Sequence, residues 1–196
     1  MKYSSLLLFV FVSFLTYAQE SEFQERFDNL IENESYDQVI QLADSIYDAG
    51  ISPKVGLMAL INKADAFLYL EKKPEFILAV FREADKLVTE NKLLSTLGNQ
   101  KLQSVKGYYY FLEGDYSSAE NSYLKAYKIG RSYFESDDKN LLIILSDYTY
   151  VLMQLKKFQE ASKILEESII KIPKDNPYHP LLAGRLADIY AFTGQY

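Results

Sequence analysis

The chain of 196 residues carries a net charge of −6, is 48% apolar and 24% charged, and contains no cysteine. That length can bury one respectable core, and the apolar fraction is too high for a disordered chain. The acidic balance, unbroken by any Lys/Arg cluster, repels phosphate backbones, so this portion is not expected to bind nucleic acid. The missing cysteine excludes disulfides, thiolate metal sites and Cys nucleophiles.

The N-terminus reads differently from the rest. Lys2 supplies a short positive region and Leu6–Leu15 an apolar run, and Thr16-Tyr17-Ala18 places small residues before a cut. This is the pattern of a secretory signal peptide over residues 1–18, and the run is short for a membrane span. An uncleaved anchor is the alternative. Cleavage leaves a mature chain from Gln19 that is exported, periplasmic or otherwise extracytoplasmic, with no membrane span of its own. No Cys follows the apolar run, so a lipobox anchor is excluded.

From there the chain reads as helix after helix. Phe23, Phe27, Leu30 and Ile31 share one helical face, Asn33-Glu34-Ser35 turns the chain, and a second helix spans about Tyr36–Ala49. Gly50 stops it, and Ser52-Pro53 reads as N-cap and first residue of helix three. That helix carries Leu57, Leu60, Ile61, Ala64, Phe67 and Leu68. After Glu71-Lys72-Lys73, helix four begins near Pro74 and runs to about Glu90, with Glu83 and Lys86 where a bulky apolar and a small residue are expected. Helix five, about Leu93–Glu113, meets helix six, to about Tyr133, at Gly114-Asp115. Gly114 supplies the left-handed residue there and Asp115 the cap. Asp137-Asp138 caps helix seven, Asn140–Leu155. Lys156-Lys157 turns the chain into helix eight, about Phe158–Ile172, which closes on Pro173. A rigid proline-rich loop, Lys174–Pro180, precedes helix nine, Leu181–Thr193.

An aromatic recurs at the turns, Tyr36, Phe76, Tyr116, Phe158 and Tyr196, about every 40 residues. Three residues after the first four stand Val39, Ala79, Ala119 and Ala161, where the second helix passes closest to the first. The clearest stretch is Gly107–Ala126, in which Gly107, Ala119 and Ala126 alternate with Tyr110, Tyr116 and Tyr123. Small residues let two helix backbones approach, and the aromatics fill the holes beside them. In order and spacing this resembles the tetratricopeptide repeat (TPR) family over about residues 22–196. His179-Pro180 before a first helix looks like the longer-helix variety. Gln103 stands where the family has an aromatic, a departure from its pattern. The resemblance implies an all-α fold, a right-handed TPR-like solenoid of antiparallel helix hairpins, about four and a half of them, over residues 19–196. Helix nine lacks its hairpin partner before Tyr196. The expectation is that the natural chain continues, or that another subunit covers this open C-terminal end by self-association.

Chemistry is sparse. There is no Gly-rich phosphate loop and no HExxH, and the single histidine, His179, lies between Tyr178 and Pro180 in a loop. Adjacent acids such as Glu166-Glu167 diverge by about 100° on a helix and do not face each other. Asp137-Asp138-Lys139-Asn140 lacks the alternating ligands of a calcium loop. The expectation is no enzyme, no metal and no cofactor. The excess of aromatics, 17 Tyr and 12 Phe without Trp, suits half-buried helix faces.

In the TPR family the first helix of each hairpin lines the concave side, where peptides lie. Carried onto this sequence, that register gives Lys101, Ser104, Tyr108 and Phe111 on helix five. It gives Ser146, Tyr150 and Met153 on helix seven, and Asp188 on helix nine. The resemblance therefore implies a protein or peptide partner on an aromatic groove, unless Tyr108 and Tyr150 merely pack on each other between hairpins. The implied role is an exported interaction scaffold. The alternative is the sensory part of a membrane-bound bacterial regulator, a histidine kinase or a helix-turn-helix protein, with its membrane helix and output domain beyond residue 196.

Overall fold

The computed structural model describes residues 19–194; residues 1–18, read above as a signal peptide, and Gln195 and Tyr196, read above as part of a turn, lie outside them. The described residues form nine helices and no strand. Helix α1 covers 19–32. After it come α2 (Tyr36–Asp48), α3 (Pro53–Tyr69), α4 (Pro74–Glu90), α5 (Leu97–Leu112), α6 (Tyr116–Gly130), α7 (Lys139–Gln154), α8 (Phe158–Ile169) and α9 (His179–Thr193). The chain divides into two compact units at Leu94/Ser95. One holds α1–α4, the other α5–α9.

One turn geometry is used in every hairpin. The second residue past the first helix is left-handed at Glu34 (φ 53°), Glu71 (φ 49°), Gly114 (φ 73°) and Lys156 (φ 58°). The next amide then reaches back to the helix: Ser35 N–H donates to the Leu30 carbonyl, Lys72 to Phe67, Asp115 to Tyr110 and Lys157 to Leu152, at 2.8–2.9 Å. This is the Schellman closure, which satisfies carbonyls that a helix end leaves without partners. Only Gly114 takes this conformation without strain; at the other three the closure offsets a cost of about 1–2 kcal/mol. Helix starts are capped as the sequence predicts at Ser52, Asp115 and Asp138, whose side chains accept from the amides of Val55, Ser118 and Asn140.

Several boundaries differ from expectation. Helix α5 starts at Leu97 and not Leu93, because Lys92 is left-handed and Leu93 N–H closes α4 on the Val88 carbonyl. Thr96 then caps α5. Helix α6 stops at Gly130; beyond it Tyr133 and Phe134 both donate to the Gly130 carbonyl, and Tyr133 Oη donates to the Ser95 carbonyl at 2.6 Å. Helix α8 ends at Ile169, since Ile172 precedes Pro173 and residues before proline disfavour helical backbone. His179 opens α9 and is not a loop residue, with Pro180 in the first turn where its missing N–H costs nothing.

The main correction concerns the second hairpin. Helix α4 opens on Pro74, two residues before Phe76, so Phe76 is not the turn aromatic and is 52% exposed. Proline is tolerated only in the first turn of a helix, so Pro74 fixes the start. The register shifts with it. The fourth residues of α2, α4, α6 and α8 are Val39, Ile77, Ala119 and Ala161, all buried, whereas Ala79 is only half-buried. The places that Glu83 and Lys86 failed to fill belong to Phe81 and Ala84, both buried.

Within the first unit, Phe27, Val39, Ala43, Ile46, Val55, Ala59 and Ala66 form a continuous core across α1, α2 and α3. In the second, Ala119, Tyr123, Leu142, Leu145, Tyr148, Leu152, Leu165, Leu182 and Ile189 do so across α6–α9. At corresponding positions of each hairpin one residue is larger than the other. Seven residues before each left-handed turn residue stand Phe27, Ala64, Gly107 and Thr149; the eighth residues of the following helices are Ala43, Phe81, Tyr123 and Leu165. All eight are buried. Gly107 is the extreme case, since a Cβ there would lie 2.8 Å from the Tyr123 ring. Thr149 satisfies its hydroxyl inside the helix by donating to the Leu145 carbonyl at 2.8 Å.

Candidate functional site

In the second unit the first helices α5, α7 and α9 meet side by side through a chain of rings and one cation. The Phe111 ring on α5 lies 5.5 Å from that of Tyr150 on α7, tilted by 57°. The guanidinium of Arg185 on α9 sits over the Tyr150 ring, 4.8 Å from its centroid. Such cation–ring contacts gain about 0.5–2 kcal/mol, more as water is excluded. This arrangement follows from helical spacing, since Tyr108 and Phe111 on α5, and Ile143, Asp147 and Tyr150 on α7, recur at three and four.

The eight residues that the sequence places on this face divide by exposure. Lys101, Tyr108, Tyr150 and Asp188 are exposed; Ser104, Phe111 and Met153 are half-buried; Ser146 is buried in the interior. Tyr108 and Tyr150 present 47% and 40% of their surface, enough to receive a ligand. Among the described residues Tyr150 packs on Phe111 and not on Tyr108. Ser104 accepts a hydrogen bond from Gln100 Nε2 at 3.0 Å, which fixes its hydroxyl within α5. Lys101 and Asp188 stand at opposite ends of the set, on α5 and α9.

Sequence reasoning missed the ionisable centre of this face. Asp147, three residues before Tyr150, is half-buried, and loss of water raises its pKa against the opposing pull of Arg185. Arg185 is half-buried too; desolvation lowers its pKa, partly offset by Asp147, Tyr150 and Asp188. Its Nε and Nη1 are shielded from solvent and have no hydrogen-bond partner among the described residues. A buried donor left unmet costs about 1–3 kcal/mol. The Tyr123 phenol joins the group from α6, its pKa raised by burial and then by Asp147 and Tyr108. The sequence signal was available: Asp147 and Arg185 each precede a predicted face residue by three positions.

Two clefts lie elsewhere. One, about 230 Å³, lies in the second unit between Arg131, Phe134, Leu141, Leu145, Glu167 and Lys171. The other follows the acidic outer face of α1. Among the described residues no group of three or more His, Asp or Glu side chains is placed to hold a metal ion. No helix among them is long and apolar enough to cross a membrane.

The backbone resembles the nearly identical TPR-like repeats of a Podosopora anserina chain assigned as a kinesin light chain. The TM-score is 0.73 at 13% identity, over 89% of this chain and 87% of that one. A variant of that protein, with methionine in place of one glutamine, superposes with the same TM-score at 14% identity, over 89% and 86%. These likenesses establish the fold, an all-α TPR-like solenoid. No protein-family model and no curated protein sequence matches the chain.

Proposed function

We propose that this chain is an exported interaction scaffold that takes a peptide segment of another protein on the face lined by α5, α7 and α9, and performs no chemistry itself. The observation that carries the reading is the run Phe111–Tyr150–Arg185 across three successive first helices, flanked by exposed Tyr108. Aromatics and arginine are the side chains that most often anchor binding energy, and stacked helix pairs present such residues along an extended surface. A TPR-like fold adds support, because its repeats offer a surface and no enclosed reaction chamber.

Selection from a phage-displayed peptide library on the purified chain tests the reading. Peptides are expected to be recovered, and the double substitution Tyr108→Ala, Tyr150→Ala is expected to weaken them at least tenfold while helical circular dichroism is unchanged. Both rings are half exposed, so the fold tolerates their loss. Peptides retained equally by the double variant would move the site off this face.

Export is the second part of the proposal, and it rests on the Leu6–Leu15 run and the small residues through Ala18. N-terminal sequencing of protein recovered outside the cytoplasm should begin near Gln19. An intact Met1 in a membrane fraction would replace export with anchoring.

A further inference from the structure

The centre of this face holds two opposite charges that do not pair. Asp147 lies one turn before Tyr150 on α7, and Arg185 on the adjacent α9 covers the Tyr150 ring, so the two charges share one face. Yet Arg185 stacks on Tyr150 in place of closing on the carboxylate, and two of its N–H groups find no acceptor among the described residues. An unpaired, half-buried charge of either sign is costly and is relieved by a group that supplies its hydrogen bonds.

The sign of what can enter is constrained. A carboxylate side chain would gain Arg185 but meet Asp147 and the exposed Asp188 on the same face. An ammonium would gain the acids and meet Arg185. A neutral amide gains from both at once, its carbonyl accepting from the guanidinium and its N–H donating to the carboxylate. Building on the peptide-binding reading above, we propose that Asp147 and Arg185 form a clamp for the main-chain amide of an extended peptide, with the Tyr150 and Phe111 rings receiving the adjacent side chain. Affinity then comes from the backbone and only apolar size is read from the sequence. Partners would share an extended, uncharged segment and no fixed charged motif.

Fluorescent decapeptide pools randomised over Ala, Leu, Ser and Tyr provide the probe. Parallel pools carry additional Glu, Lys or Asn, and one neutral pool is N-methylated at every amide. Retention by the full chain is expected to be strongest for the neutral pool and unimproved by Glu or Lys, with a loss of tenfold or more on N-methylation. Arg185→Gln with Asp147→Leu should remove the difference between amide and N-methyl pools. Asp147→Asn, which keeps an acceptor at the same place, should preserve most of it. A tenfold preference for the Glu or Lys pool overturns the amide clamp in favour of a charged side chain. A preference for Asn that ignores N-methylation assigns the pair to a side-chain carboxamide and overturns it likewise. Neutral peptides held equally by the wild type and the Arg185/Asp147 variant overturn the clamp while leaving the groove standing. Retention of no pool removes the groove and the clamp together.

Discussion

Gly107→Ala is expected to lower the stability of the protein by about 1–2 kcal/mol, and Gly107→Val by more, although alanine is the better helix former. On an open helix the change would gain up to about 1 kcal/mol. Here the added Cβ would stand 2.8–2.9 Å from three atoms of the Tyr123 ring, a separation that Cβ contacts do not reach without movement. Tyr123 is 3% exposed, and it belongs to the core that continues through Leu142 and Leu145 into α7. The ring therefore cannot swing away, and α5 must back off from α6. Urea unfolding of the two variants measures the cost. Adding Tyr123→Leu to Gly107→Ala should recover part of it, whereas Tyr123→Phe, which keeps the ring, should not. A stabilised Gly107→Ala protein would show that the helices approach differently.

This hairpin was the most legible part of the sequence, and the reason is physical. Glycine at a close approach, glycine at the turn and aspartate at the cap each do something few other residues do well. In the second hairpin the start at Pro74 was read correctly, but the register was anchored by spacing on Phe76, two residues too late. A period can be counted correctly and still be anchored on the wrong residue. Glu34, Glu71 and Lys156 in left-handed turns gave no signal either, since the Schellman hydrogen bonds that hold them there are made by backbone. On the candidate face, the helical register placed the aromatic members. It passed over Asp147 and Arg185 because charged residues on a helix usually mean solvent, and only packing reveals that these two are half-buried.

Leu152→Ala is expected to cost about 2–5 kcal/mol, the range for emptying a fully buried leucine site. Leu152 is 0% exposed on α7 and shares one core with Ala161, Leu165 and Leu182, so three successive helices line the space that its side chain would vacate. The loss is comparable with the whole stability of a marginal domain. Hydrogen exchange should therefore show the amides of α7–α9 losing protection in Leu152→Ala. The exposed Ile170→Ala, with 85% of its surface in solvent, should leave exchange and melting temperature nearly as they were. Equal effects at the two sites would contradict the core assigned to the second unit.

The matched sizes at the hairpin crossings bear on how this chain avoids misassembly. Repeats that look alike invite a helix to pair with the wrong neighbour while the chain is still folding. The corresponding buried positions are not all alike: phenylalanine is matched with alanine in the first hairpin, alanine with phenylalanine in the second, glycine with tyrosine in the third, where the two touch, and threonine with leucine in the fourth. Setting α1 against α4 in the same register would match two large residues, Phe27 and Phe81. Setting α5 against α2 in the same register would match two small residues, Gly107 and Ala43. These two wrong partnerships match large with large or small with small. The first helix of a hairpin thus carries a shape that disfavours some wrong successors, and fit adds to connection in keeping the order of the chain.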